Sequence, residues 1–186
     1  VLAGIAVSAL FSSGVGLLKL VADPLRQLPE ITFWLLGGLF GVSWKQLLWL
    51  LPVVLPSLAG ILLLRWRLNV LSLADETAFA LGAAVRRERA LLLLLSVAAT
   101  AAVVSVSGMV GWVGLITPHV ARRLHRADAR RALPSAMLLG AIVVVACDDL
   151  ARPLVAAELP LGIVTSLVGA AAFAAVMIRP PVRGRA

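Results

Sequence analysis

Few side chains in this sequence could carry out chemistry, and they lie in two short stretches. His119 and His125 are six residues apart in GLITPHVARRLH, a spacing that matches no common metal-ligand pattern. Cys147, the single cysteine, permits neither an internal disulfide nor a cysteine-based metal cluster. The motifs GxSxG, HExxH and Walker A are absent. We therefore predict no catalytic residue, no metal site and no cofactor, and a protein that is not itself an enzyme.

Asp148 and Arg152 are opposite charges in an otherwise apolar stretch. Because they are four residues apart, a helix would place them on one face, where they can form an ion pair. Two interpretations stay open. In one, the two residues form an interfacial ion pair that ends the helix. In the other, Arg152 faces an external partner that carries acidic groups. Ionisable residues at membrane depth favour a functional role.

The composition indicates that these residues belong to a membrane protein. Of the 186 residues 61% are hydrophobic and 14% are charged, against about 25% charged in an average soluble domain. The mean hydropathy is +1.03. A soluble domain of this size could not hide so much apolar surface beneath a polar exterior. A soluble enzyme, a disordered tail and a secreted disulfide scaffold are therefore excluded.

Apolar runs along the chain predict helices that cross the bilayer, for which about 20 residues are needed. We count four convincing spans and two short inserted helices. Because the short ones cannot cross alone, other helices must cover them. The long apolar runs cover residues 1–21, 46–64, 91–110 and 159–178, a run at 133–157 is interrupted by DDLAR, and the short runs are 31–42 and 112–120.

Lysine and arginine set the predicted orientation. The stretches 65–90, 121–131 and 179–186 hold 13 of the 17 Lys and Arg residues. Basic loops stay on the cytoplasmic side of a membrane, and the apolar runs between these stretches then group into outward and return pairs. The net charge of +8 is thus explained by basic cytoplasmic loops. We expect these loops to lie next to membrane lipid and predict no nucleic-acid partner.

The stretch LSLADETAFALG, residues 71–82, predicts a short amphipathic helix outside the bilayer. Ser72 and Asp75 have the spacing of a capping box, acidic residues suit a helix start, and Gly82 suits a C-terminal cap. A small apolar face at i, i+4 and i+7 consists of Ala74, Ala78 and Leu81. Such a face either fits into a groove of a partner protein or lies on lipid or on the chain's own bundle.

Three glycines, Gly108, Gly111 and Gly114, recur at every third position of GMVGWVGL. Small residues at this spacing let helices approach closely or form a tight hairpin. We favour simple packing as their role.

The motifs in their order resemble the FecCD-type permeases, the membrane subunits of bacterial ABC importers for iron–siderophores, haem and vitamin B12. The strings that carry the resemblance include FWLLGGLFGVSW, LNVLSLADETAFALG, GLITPHVARRL and ELPLGIVTSLVGA. The resemblance implies an all-α polytopic membrane protein in the bacterial inner membrane. It further implies that residues 1–186 are a single, partial transmembrane permease domain, the C-terminal part of a ten-helix type II ABC importer permease with short partial helices.

The resemblance also implies roles for individual residues. Residues 67–90 would be the cytoplasmic coupling segment that docks on an ATP-binding cassette ATPase subunit. Its contact residues would be Leu73, Ala74, Asp75, Glu76, Ala78, Leu81, Gly82 and Val85. Arg152, with Asp148, would dock a periplasmic or lipid-anchored substrate-binding protein. The family signature would comprise Pro118, His119, Arg122, Glu158 and Pro160.

The same resemblance implies a second permease subunit, with a homodimer favoured, and ATP hydrolysis on the separate ATPase subunits. Two alternatives stay open beside the chelate importer: a permease for free zinc or manganese ions, and a nonfunctional partial product. A permease for bare ions would need inward-facing His or carboxylate ligands in the spans, and the spans offer almost none. A bulky chelate is therefore the favoured cargo, and the sequence does not indicate which chelate it is.

Overall fold

A computed structural model of the chain describes residues 2–125, 128–154 and 159–178. Within these ranges all regular secondary structure is helical, which confirms the prediction of an all-α polytopic protein. Four of the helices, α1, α3, α6 and α8, are long and apolar enough to cross a membrane. This is the predicted number, but the set differs from the predicted one. The run at 159–178, expected to span, gives a shorter apolar stretch over its described side chains, Leu161–Ala174, whereas the interrupted run at 133–157 lies in the membrane-length helix α8. The helices are α1 (Leu2–Val21), α2 (Gln27–Leu36), α3 (Trp44–Leu63), α4 (Arg67–Leu71), α5 (Asp75–Ala80), α6 (Val85–Ser107), α7 (Val113–His125), α8 (Ala129–Leu154) and α9 (Leu161–Ile178).

Several helices extend beyond the apolar runs that predict them. α6 begins at Val85, six residues before the apolar run at 91–110. α7 continues to His125 rather than stopping at residue 120. Helical hydrogen bonds need no apolar side chain, so a membrane helix can continue into water wherever its end groups find partners. At the start of α6 the Glu88 carboxylate accepts a hydrogen bond from the backbone N–H of Ala84 at 3.2 Å.

α3 begins at a capping box that the sequence pattern SWKQ carries and that hydrophobicity alone does not reveal. The Ser43 Oγ accepts from the backbone N–H of Gln46 at 3.3 Å, and the Gln46 Oε1 accepts from the backbone N–H of Ser43 at 2.8 Å. α3 then packs along α6, while α7 packs along α8 and α9. A Cβ on Gly60 of α3 would lie 2.8 Å from Leu95 of α6, so the two helices touch closely there.

The ends of α2 and α6 and the start of α9 meet in a backbone junction. The N–H of Gly38 donates to the carbonyl of Ser107 at 2.8 Å, and the N–H of Gly162 donates to the carbonyl of Gly37 at 3.3 Å. The indole N–H of Trp34 adds a bond to the Ser105 carbonyl at 3.3 Å. Three chain segments are thereby joined mainly through main-chain groups, with one indole N–H in addition.

Glycine is required at this junction for two physical reasons. Gly37 and Gly108 have φ values of 72° and 64°, in the left-handed region that side chains disfavour. A Cβ on Gly108 would also collide with the carbonyl oxygen of Trp34, and one on Gly162 would collide with that of Leu36. The backbones could not approach this closely if any of the three positions carried a side chain.

A cluster of buried residues lies between α8 and α9. It consists of Cys147, Ala151, Leu161 and Val164, all less than 8% exposed. Two of these four side chains are small, which lets the helix backbones approach and exchange dispersion contacts where lipid supplies no hydrophobic driving force. The start of α9 is therefore held both by this packing and by the glycine junction.

We predict that Gly108→Ala lowers the free energy of unfolding of the full-length protein by about 2 kcal/mol or more, because it combines left-handed strain with a backbone collision. Thermal unfolding in detergent measures this. Gly114→Ala is the matched control from the same glycine run, since its Cβ would meet nothing within 4 Å. Equal stability of the two variants would contradict the assigned role of the junction.

Candidate functional site

The predicted coupling segment, residues 67–90, folds into α4, α5 and the start of α6. The expected capping box is wrong: Ser72 follows the last residue of α4, and its hydroxyl donates to the carbonyl of Asn69 at 2.7 Å. α5 begins after Ala74 without a side-chain cap. The serine is used to close the preceding helix, which the spacing alone could not reveal.

Gly82 terminates α5 in the manner predicted. Its φ is 78°, its N–H donates to the carbonyl of Phe79 at 2.9 Å, and the next N–H, of Ala83, donates to the carbonyl of Ala78 at 3.0 Å. These two bonds form a Schellman motif. The left-handed residue turns the chain sharply, so that it enters α6 only three residues later.

The apolar residues of α5 divide into buried and exposed groups, which corrects the expected small-residue face. Ala78 is fully buried within the chain, and Ala83, just after α5, is almost fully buried. Phe79 is 75% exposed and Leu81 60%. The remaining predicted contact residues, Leu73, Ala74, Asp75, Glu76 and Gly82, are exposed and Val85 is half-buried. Phe79 was not among the predicted contacts, although an exposed aromatic residue on an extramembrane helix is a usual sign of a contact surface.

Ion pairs fasten α5 and α4 to the base of α6. The Arg89 Nη2 lies 2.8 Å from the Asp75 Oδ1 and also donates to the carbonyl of Leu71 at 3.1 Å. The Arg67 Nη1 lies 3.6 Å from the Glu88 Oε1. A partly exposed ion pair contributes little alone, but together the two pairs restrict the orientation of α4 and α5 relative to α6.

A hydrogen-bonded clasp joins α4 to the start of α8. The Asn69 Nδ2 donates to the Asp128 Oδ1 at 2.8 Å, and the backbone N–H of Ala129 donates to the Asn69 Oδ1 at 2.8 Å. The bond from Asn69 lowers the pKa of Asp128 below its ordinary value. The carboxylate that bonds the asparagine therefore stays charged at neutral pH, and one side chain bridges the segment to a spanning helix.

A groove of about 450 Å³ runs between α5 and the start of α6. Its lining combines apolar side chains with two arginines and one aspartate. Its lining residues are Asp75, Phe79, Ala84, Val85, Arg86 and Arg87.

Asp148 and Arg152 form the predicted pair in the last turns of α8. The Arg152 Nε and Nη2 both donate to the Asp148 Oδ2, at 2.9 Å and 2.7 Å. The Asp148 side chain is 10% exposed, whereas that of Arg152 is 56% exposed. The two residues thus differ in what they can contact: the aspartate is confined within the chain, and the guanidinium reaches the surface.

The predicted signature residues lie in two places. Pro118, His119 and Arg122 are on α7, with the proline half-buried inside the helix and the other two exposed. Pro160 is buried next to the start of α9 and lines the cavity beside the glycine junction. Glu158 lies outside the described residues.

The chain matches the FecCD transport family over residues 1–179. It is 42% identical over 173 residues to the molybdate import system permease protein MolB of Haemophilus influenzae, and 42% identical over 179 residues to the hemin transport system permease protein HmuU of Yersinia pestis. These alignments cover 93% and 96% of this chain but 51% and 53% of those proteins. The chain thus spans about half the length of the curated relatives it matches.

The fold is also found in a solved structure. That structure is described as an inward-facing conformation of a metal-chelate type ABC transporter, and it superposes with a TM-score of 0.91 at 40% identity. The superposition covers 96% of this chain and 60% of that chain. With the four membrane-length helices, these matches confirm the prediction of a multi-pass inner-membrane protein. The chain belongs to the FecCD transport family.

Proposed function

We propose that this chain forms part of the membrane-spanning permease subunit of an ATP-driven importer for chelates of the iron–siderophore, haem or cobalamin type. The observation that carries the proposal is membership of the FecCD transport family across residues 1–179. In this function the permease contributes a path and its movement, while separate ATPase subunits hydrolyse ATP.

Residues 67–90 would be the cytoplasmic docking surface for an ATPase subunit. The exposed side chains of Phe79 and Leu81 project from a short helix whose other side, at Ala78, is buried in the chain. Exposed apolar side chains on a helix that is itself packed against the chain can insert into a groove of a partner protein. Because ion pairs join α5 to α6, and the Asn69–Asp128 bond joins α4 to α8, a push on this surface would reach two spanning helices directly.

Arg152 would be the contact for the substrate-binding protein on the outer face. Its guanidinium is more than half exposed, yet two hydrogen bonds to one oxygen of Asp148 fix its direction. α8 itself is fixed beneath the pair by the buried residues Cys147 and Ala151. A held cation of this kind would steer and orient an acidic partner more than add affinity. Asp148 would act as a positioning residue and not as a contact.

A second permease subunit and lipid would cover the remaining apolar surface. None of the residues of α1, all of which the structure describes, is buried. Large side chains on this helix such as Leu10 and Phe11 are about 70% exposed. In a membrane such a helix must pack against lipid or against another protein segment, and a homodimer would supply one such surface.

A chelate is favoured over a free metal ion as cargo. Within the described residues no three His, Cys, Asp or Glu side chains come close enough together to hold a metal ion. A path for bare zinc or manganese would offer such ligands. One relative is named for hemin transport and another for molybdate import. Because molybdate is an oxyanion, the uptake experiment must also include an oxyanion as cargo.

We expect the gene product that contains this chain to co-purify with ATPase subunits and, reconstituted in vesicles with its binding protein, to take up haem, a ferric siderophore or cobalamin only when ATP is present. Uptake is measured by the metal content of the vesicles, with free Zn²⁺, Mn²⁺ and molybdate as competing cargoes. Selective uptake of one of these instead would overturn the chelate assignment. A product without any ATPase partner would contradict the importer.

Gly82→Val in the full-length transporter should lower the amount of cargo moved per ATP hydrolysed. A Cβ at Gly82 would meet nothing within 4 Å, so the effect comes from the left-handed φ, at about 1–2 kcal/mol for an ordinary residue. The turn that positions α5 would distort. Gly82→Asn is the matched control, because asparagine tolerates this conformation. An unchanged transport ratio in Gly82→Val would remove the segment from the coupling path.

Arg152→Glu should weaken docking of the binding protein roughly tenfold at low salt, and the difference should shrink as salt screens the charges. Surface plasmon resonance on the reconstituted transporter measures the affinity. Asp148→Asn should cause a smaller loss because it weakens the hydrogen bonds that orient the guanidinium without removing the charge. Arg26→Glu, an exposed charge reversal outside the three basic stretches, is the control. Equal affinity of Arg152→Glu and wild type would exclude Arg152 from the interface.

A further inference from the structure

We propose that a basic cleft between the ends of α3, α7 and α8 binds the phosphate of an anionic phospholipid headgroup such as phosphatidylglycerol. α3 ends at Leu63, α7 ends at His125 and α8 begins at Ala129, so three helix ends converge there. The cleft has a volume of about 510 Å³. Its polar lining consists of Arg65, His125, Asp128, Arg130, Arg131 and Ser135.

The charges in the cleft leave it able to bind an anion. Three arginines face one aspartate, and the Asp128 carboxylate is already engaged by Asn69 and by the backbone N–H of Arg130 at 3.1 Å. Arg131 lies 3.9 Å from the same carboxylate. Within the described part of the chain no hydrogen bond or ion pair holds the guanidinium of Arg65 or Arg130, and Arg130 acts on Asp128 only through its charge. Guanidinium groups bind phosphate oxygens in bidentate geometry, so these two are suited to one phosphate.

Uncharged polar groups complete the lining. The His125 Nε2 and the Ser135 Oγ lie 2.7 Å apart, and together they place an imidazole and a hydroxyl beside the arginines. A phosphodiester offers several acceptor oxygens, so it can take hydrogen bonds from this wall as well as from the guanidiniums.

The position of the cleft favours a lipid over a soluble anion. Arg65 follows the last residue of a membrane-length helix by two positions, and Arg130 is the second residue of another. Trp66, 52% exposed, lies at the same helix end, and tryptophan is enriched at the headgroup level of bilayers. Basic pockets between spanning helices at a membrane surface are suited to anionic headgroups. A free phosphate has the same chemistry but lacks this placement.

The test compares lipid retention by the assembled transporter. Complexes are equilibrated in mixed phosphatidylcholine and phosphatidylglycerol, and native mass spectrometry measures which lipid stays bound. We expect wild type to retain phosphatidylglycerol preferentially. Arg65→Gln and Arg130→Gln should each weaken this preference roughly fivefold, as expected for one arginine near an anionic surface. Arg130→Gln alters an exposed side chain and is the informative variant should Arg65→Gln fail to fold.

The control is Arg123→Gln, which removes an exposed arginine from the predicted cytoplasmic side and outside the cleft. It should retain the wild-type preference. An equal loss in this control would show general surface attraction and overturn the site, as would an unchanged preference in Arg130→Gln. Inorganic phosphate is added in a separate arm. Full displacement of the lipid by phosphate at physiological concentration would assign the cleft to a soluble anion instead.

Discussion

Main-chain groups that leave a helix within hydrocarbon have no water to bond, and the rest of this structure depends on how that constraint is met. At the meeting point of α2, α6 and α9 the chain bonds its backbone to itself, through Gly38 to Ser107 and Gly162 to Gly37. Short helices can therefore start and stop among the spanning ones without leaving donors exposed to lipid. Gly37, Gly108 and Gly162 permit these bonds because they carry no side chain, so the backbones can approach closely enough to form them.

In the segment of residues 67–90, close packing on one side leaves large side chains exposed on the other. Its small residues, such as Ala78 and Ala83, are used inward to bring α5 against the chain, while the large Phe79 and Leu81 point outward. Ion pairs and the Schellman turn hold this arrangement. A projecting helix of only six residues would be unstable alone. Its contacts with the rest of the chain hold α5 in one orientation, so a partner protein can recognise its exposed surface.

The sequence could predict what depends on local pattern and composition. The number of membrane-length helices, the Asp148–Arg152 contact and the Gly82 cap all follow from spacing within one helix or turn. Features that depend on distant residues could not be predicted in this way. Ser72 has the right spacing for a cap on α5 but lies at the end of α4, and the exposure of Phe79 depends on which side of α5 meets the chain. Nor does any local pattern reveal that Gly162 lies against Leu36.

The clasp between Asn69 and Asp128 has a mechanical consequence. It lies at the first turn of α8, and Arg152 lies in the last, so one continuous helix of 26 residues, about 39 Å long, joins the two. No loop interrupts this rod. The packed cluster around Cys147 and Leu161 lies close to the Arg152 end, so a tilt imposed at the Asn69 end about this cluster would move the Arg152 end in the opposite sense. In the proposed importer, the stiffness of this single helix would couple the two proposed docking surfaces.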